Sequence, residues 1–323
     1  MDIDKQTKAK SYFSKIVWVI ILLIVIGVNY SFLSEHMSSN NAFIRDFQLQ
    51  EEVVEKYKEP AVSAVFYSAN KDDIQRDLGK YMQGNYERSE RKPKILIVPY
   101  AGYKYSSQVA TAAYSELLRY ANDFSNVVII GAAPHIMVDK IAVPQYAYFN
   151  TSLGKAAINQ EKISELLNNN LFVYNNKPFD NKYLFETQLF FLQKNLVKFK
   201  IIPIMYGTVA AQKLAAALQK FLDDENTLLV FLADLSHYYK VNETEQLDAH
   251  TVRMIDLGNS GLNKDVSCGA EGINAALLLA KEMQMNLRLW DISHFDKINN
   301  NIKKFVDYDE LLLSGETEDK KTD

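Results

Sequence analysis

Cysteine is almost missing from this chain. Of 323 residues, Cys268 is the single cysteine. One thiol excludes an internal disulfide and any zinc site built from several thiolates. Histidine is nearly as scarce, with five: His36, His135, His237, His250 and His294. A metal site would have to draw on those few imidazoles and on carboxylates. Positive charge is not in excess either. Lys and Arg number 36 against 40 Asp and Glu, a net charge of −4, so no nucleic-acid footprint is present and no nucleic-acid partner is expected. Phosphate-cradling glycine loops are absent, since Gly131 and Gly154 are isolated. There is no Gly-x-Ser-x-Gly elbow. Ser236 and His237 are adjacent, which points their side chains apart on a strand, so a Ser–His nucleophile is rejected. No internal repeat of the propeller or solenoid kind occurs.

What is present is ordinary for a globular protein, at 48% apolar and 24% charged residues. The length suits one large α/β domain or two smaller ones with a sizeable core. One run stands apart. Ile16 to Leu33 is nearly all apolar and carries no charge. At about 1.5 Å per residue it spans roughly 27 Å as a helix, just enough for a bilayer core. Trp18 and Tyr30 sit near its ends, and Lys5, Lys8, Lys10 and Lys15 precede it. That pattern predicts an uncleaved single-pass anchor in the cytoplasmic membrane, with the N-terminus in the cytoplasm and the main domain outside. A cleaved signal peptide is the rival, but no small-x-small site follows Gly27. The expected organisation is a lysine-rich cytoplasmic tail over 1–15, the anchor over 16–33, a stalk over 34–60, an α/β domain over 61–313 and a disordered tail over 314–323.

Three short apolar runs read as buried strands: Ile95–Val98, Asn126–Ile130 and Thr227–Leu232. Each runs into a tight or small-residue loop, through Pro99 to Gly102, Gly131 to His135, and Ala233 to His237. Open α/β sheets place their sites at such carboxyl ends, so three loops are expected to meet over one pocket. Further strands are predicted at Ala61–Tyr67, Ile141–Tyr148, Lys200–Tyr206 and Asn286–Ile292. Residues 150–154 read as a turn. Apolar stripes predict helices over Lys71–Met82 with Asn70 as cap, Gln108–Tyr120 capped by Ser106 or Ser107, and Gln160–Asn168. Lys182–Leu196, Ala210–Leu222, Glu245–Leu257 and Gly272–Met283 read the same way. Strands alternating with helices argue for a central sheet flanked by helices.

The segment Val98-Pro99-Tyr100-Ala101-Gly102-Tyr103-Lys104-Tyr105-Ser106 resembles the Val-Pro-His-Ala-Gly-Tyr-x-Tyr-Ser signature of the Memo family, also called AmmeMemoRadiSam system protein B. Other blocks agree in order and spacing over roughly residues 60 to 295. Val128 to His135 resembles the family's apolar strand followed by Gly-Pro-Ser-His-His. Thr151-Ser152-Leu153-Gly154 resembles Thr-Pro-Leu-Gly. Lys182 to Leu189 resembles Glu-His-Ser-Leu-Glu-x-Gln-Leu, with Tyr183 at the histidine and Glu186 and Gln188 matching. Phe199 to Ile204 resembles Phe-Lys-Ile-Val-Pro-Ile, Ala233 to Tyr238 resembles Ser-Asp-Phe-Ser-His-Tyr, and Cys268-Gly269 matches the family's Cys-Gly.

The resemblance implies a fold similar to class III extradiol dioxygenases. It also implies that some members bind a redox metal through two motif histidines and the cysteine. Those positions here are Tyr100, Pro134 and Cys268. Proline offers no side-chain donor, and a phenol with a pKa near 10 binds hard ferric iron at best. No cofactor is therefore expected, and no metal ligand is assigned. The alternative is an iron or copper site rebuilt from His135, His237, Asp234, Glu186 and Cys268. Tyr100 is expected to fill the space the histidine vacates, with Tyr183 a parallel case. Tyr100, His135, Tyr183 and Cys268 are the expected pocket residues. Each candidate also has a plainer role: His135 as a backbone donor, Asp234 as a loop cap, His237 as a cover for the sheet edge, Cys268 as a small buried apolar group. Two functions stay open. One is a membrane-anchored binding or scaffolding module for an unknown protein partner or small ligand. The other is an enzyme, a metal-dependent redox catalyst or hydrolase with a remodelled pocket, in which Asp234 and His237 form an acid–base pair oriented by Glu186.

Overall fold

The computed structural model describes residues 57–60, 67–83, 91–100, 103–133, 139–180, 183–235, 241–263, 267, 269–293 and 310–317. All of them belong to the unit that begins at Lys56. The expected anchor, the stalk up to residue 56 and most of the strand at 61–67 lie outside the described residues. Among the described residues no helix is long and apolar enough to cross a membrane.

Four parallel strands form the centre of an eight-stranded sheet: β2 (Ile95–Val98), β3 (Asn126–Ala132), β8 (Lys200–Tyr206) and β9 (Thr227–Leu232). Every residue of β2, β3 and β9 is buried, as is all of β8 except Lys200. A parallel strand covered on both faces reads as a continuous apolar run, which is why these strands were visible from composition alone. The full order is β10-β11-β2-β9-β3-β8-β4-β7, with β4 (Ile141–Val143), β7 (Phe172–Tyr174), β10 (Met285–Ser293) and β11 (Glu310–Thr317) outside the centre. A second sheet of three strands pairs β1 (Tyr57–Lys58) with β5 (Tyr148–Thr151), and β5 with β6 (Gly154–Ala157). The turn between β5 and β6 uses Gly154 at φ +124°, and Thr151 Oγ1 donates to the Gly154 carbonyl at 2.9 Å.

Helices flank the sheet in groups. α1 (Lys71–Tyr81), α2 (Tyr103–Ser115) and α5 (Tyr183–Asn195) touch one another, and α6 (Ala211–Leu218) lies along α8 (Ala270–Glu282). The remaining helices are α3 (Gln160–Leu166), α4 (Lys177–Asp180) and α7 (Val241–Asp256). The Asn70 cap of α1 is present, its side chain accepting the Asp72 amide at 2.8 Å. The architecture is thus mixed α/β, a central sheet with helices over it.

Several elements differ from expectation for identifiable reasons. Helix α2 begins at Tyr103, so Ser106 and Ser107 are buried inside it rather than capping it. Small side chains along α2, including Ala110 and Ala113, let the helix lie close to its neighbours, and that packing overrides the capping preference of serine. The strand expected over Ile141–Tyr148 is two strands, because Pro144 has no N–H for the ladder and β5 departs to the small sheet. Strands β1, β6, β7 and β11 were not expected; β1 lies within the expected stalk, where Tyr57 and Lys58 pair with Tyr148 and Phe149 of β5. β11 pairs with β2 through Leu313↔Ile97, Ser314↔Leu96 and Gly315↔Ile95, so residues 314–317 of the expected tail are part of the sheet. Its last four residues, Ser-Gly-Glu-Thr, carry no apolar pattern; the partner strands supply the hydrogen bonds.

Candidate functional site

Because β2, β9 and β3 are consecutive neighbours and parallel, their carboxyl ends at Val98, Leu232 and Ala132 lie side by side. The loops after β2 and β9 meet directly. Tyr100, two residues past β2 and 5% exposed, donates its backbone N–H to Asp234 Oδ1 at 2.6 Å. Asp234, two residues past β9, is 2% exposed. A buried amide and a buried carboxyl oxygen satisfy one another here, and losing either would leave the other's polar group to be desolvated without return. Asp234 therefore clamps the Tyr100 backbone, and Tyr100 is buried at the strand end.

Two further segments close on this clamp. Ser267 Oγ donates to the Asp234 carbonyl and accepts the Gly269 N–H at 3.1 Å. Gly269 is required here, since a Cβ would lie 2.5 Å from Ala233 Cβ and 2.8 Å from Ala233 Cα. Tyr206, at the end of β8, accepts the Ala133 amide on its carbonyl at 2.7 Å, and its hydroxyl accepts the Gly272 amide of α8 at 3.0 Å. The residues flanking Cys268 thus lie against the Asp234 loop. Cys268 itself, His135 and His237 lie outside the described residues, as does the Tyr183 side chain.

Glu186 on α5 is 1% exposed. Its carboxylate forms an ion pair with Lys58 of β1 and accepts the Tyr67 hydroxyl at 2.5 Å. Burial pushes the Tyr67 phenol far above its usual range, and the bond to Glu186 and its charge push it further. Tyr67 is thus a neutral donor at any physiological pH. Two residues along, Gln188 Nε2 donates to the Pro99 carbonyl at 3.0 Å, and Gln188 Oε1 accepts the Tyr114 hydroxyl at 3.0 Å. Burial likewise holds the Tyr114 phenol well above its ordinary value. The structure brings Tyr100 and Asp234 together. It places Glu186 on a different set of donors, at the Lys58–Tyr67 junction.

Lys58, Tyr67, Gln188, Tyr114, Ser267 and Tyr206 were not among the expected site residues. Gln188 carried a signal, since it matches the family motif next to Glu186. Lys58 carried none, because a lysine in a polar stretch reads as solvated.

The metal positions implied by the resemblance do not form a divalent donor set in this chain. Tyr100 brings a phenol on a backbone already clamped by Asp234, Pro134 brings no donor, and Cys268 brings one thiol. Among the described residues no group of three or more His, Cys, Asp or Glu could hold an ion.

A family model described as Memo-like protein matches residues 58–309. The chain belongs to the Memo family. It is similar to the MEMO1 family protein of Thermoplasma volcanium, 25% identical over 267 residues, covering 79% of this chain and 97% of that protein. It is 29% identical over 244 residues to the MEMO1 family protein of Thermotoga neapolitana, covering 69% and 88% of the two. The MEMO1 family protein of Thermotoga maritima is 25% identical over 279 residues, covering 79% and 99%. The Memo match takes in every strand of the central sheet except β11.

Proposed function

We propose that this Memo-family chain is a binding or scaffolding module that has given up metal chemistry and is carried on the outer face of the cytoplasmic membrane. The observation that carries this is the clamp at the β2 strand end. Where the metal-binding members have a histidine, the chain has buried Tyr100, its amide held by Asp234. A proline stands at the second histidine position. Around Asp234 the described residues are tied together: Tyr100 donates to its carboxyl group, Ser267 to its carbonyl, and Gly269 to Ser267 Oγ. The membrane part of the reading rests on the apolar segment 16–33 and the lysines before it. The likeness to class III extradiol dioxygenases rests on the family resemblance and on a parallel sheet centre with its loops at one edge.

The enzyme reading needs Asp234 and Glu186 as carboxylates working on one substrate with His237. Asp234 is engaged by the Tyr100 amide, and Glu186 by Lys58 and Tyr67, which favours the binding module. Purified full-length chain, assayed for iron, copper and zinc by elemental analysis, is expected to hold far less than one metal per chain. Near-stoichiometric metal that stays through gel filtration would overturn the proposal.

A further inference from the structure

Helix α5 is held on two faces. At about 100° per residue, Glu186 and Phe190 lie within about 40° of one another, whereas Gln188 and Phe191 lie about 140–160° from Glu186. The first face grips the segment that enters the domain. Lys58 and the Tyr67 hydroxyl both bond Glu186, and the Tyr67 ring meets Phe190 edge-on at 4.9 Å between centroids. The second face grips the site. Gln188 donates to the Pro99 carbonyl and accepts from Tyr114, whose ring stacks on Phe191 at 5.1 Å. Pro99 is bonded to Tyr100, whose amide Asp234 holds.

From this two-sided arrangement we infer that α5 is a transmission bar: withdrawing Lys58 and Tyr67 from Glu186 moves Pro99 and Tyr100 and so loosens the bond between the Tyr100 amide and Asp234 at the β2 strand end. β1 is two residues long and lies at the edge of the small sheet, so its ladder alone holds the entering segment weakly. The buried Lys58–Glu186–Tyr67 junction is what fastens it. Both faces of α5 sit in close-packed surroundings, so the helix cannot shift on one face while the other stays in place. Hydrogen bonds have a narrow distance range, and a small shift of Gln188 breaks its bond to Pro99. A pull or a partner acting on Lys58 and Tyr67 would therefore be read at the Tyr100–Asp234 contact. The device concerns the strand ends of the proposed function but needs neither the membrane anchor nor the loss of metal.

Hydrogen exchange of the full-length chain, followed by mass spectrometry, tests it through the peptide 95–100, which contains the Tyr100 amide. Tyr67→Phe removes one bond to Glu186, and Lys58→Met removes the ion pair. Leu218→Ala, in the buried face of α6, lowers stability away from α5 and serves as control. In both junction variants, exchange at 95–100 is expected to rise by roughly tenfold relative to β9, while Leu218→Ala leaves that ratio unchanged. Should Lys58→Met fail to fold, Tyr67→Phe decides by the same ratio. Faster exchange at 57–60 with 95–100 unchanged would overturn the coupling. So would an equal rise in all variants, which would mean the junction acts through global stability alone.

Discussion

Replacing Lys58 with methionine removes the ammonium and keeps most of the apolar stem. Glu186 then keeps the Tyr67 hydroxyl as donor but loses its cation at a place closed to water. Removing one partner of a buried ion pair leaves an uncompensated charge and costs about 3–5 kcal/mol. Glu186→Gln leaves the Lys58 ammonium in the same position and falls in the same range. The double variant Lys58→Met/Glu186→Gln carries neither charge, and the Gln carbonyl oxygen still accepts from Tyr67. Its cost is expected to be within about 1.5 kcal/mol of the parent, because replacing both partners of a buried pair is close to neutral. At roughly 2–4 °C per kcal/mol for a domain of this size, each single variant loses about 6–20 °C in Tm and the double variant about 6 °C or less. Circular dichroism of the full chain in mild detergent, by heat and by urea, measures all four proteins. A loss below about 1 kcal/mol in Lys58→Met, or single losses that simply add in the double, would refute the reasoning that this pair is a closed buried junction.

Asp234→Ala leaves the buried Tyr100 amide without its acceptor and is expected to cost about 2–3 kcal/mol, whereas Asp234→Asn keeps an oxygen there and recovers to within about 1 kcal/mol of the parent. Urea midpoints measure the difference, and cells carrying the Asn variant are expected to behave as the parent; loss of function in a stable Asn variant would point instead to proton transfer by the carboxylate. Alkali gives another outcome. The folded Tyr114 phenol is held above its unfolded value by burial, so the folded state keeps a proton that the unfolded state releases above about pH 10. Stability is therefore fully present below that pH and falls as pH rises beyond it, by up to about 1.4 kcal/mol per pH unit for this residue. In Tyr114→Phe the fall between about pH 10 and about pH 11 is expected to be shallower, read from urea midpoints; an unchanged slope would show that Tyr114 is not the source.

Local pattern alone was enough for the continuous apolar strands Ile95–Val98 and Thr227–Leu232, the Asn70 cap, the helix along 183–195 and the family, because each is written in neighbouring residues. The adjacency of the three strand ends followed from strand–loop–helix order, since parallel strands send their loops out at one edge. Asp234 and Tyr100 were recognised as candidates, but that the one clamps the other's amide was not, for periodicity records which face a residue takes and not what it touches. The tertiary structure decided the rest. Lys58 and Tyr67 find Glu186 across 128 and 119 residues, and nothing near any of the three in sequence announces the others. The last four residues of β11 are strand because β2 and β10 offer them backbone partners, not because Ser314, Gly315, Glu316 and Thr317 prefer a strand. Side-chain chemistry can be read from a sequence, whereas which buried charge is neutralised by which distant group depends on how the whole chain closes around it.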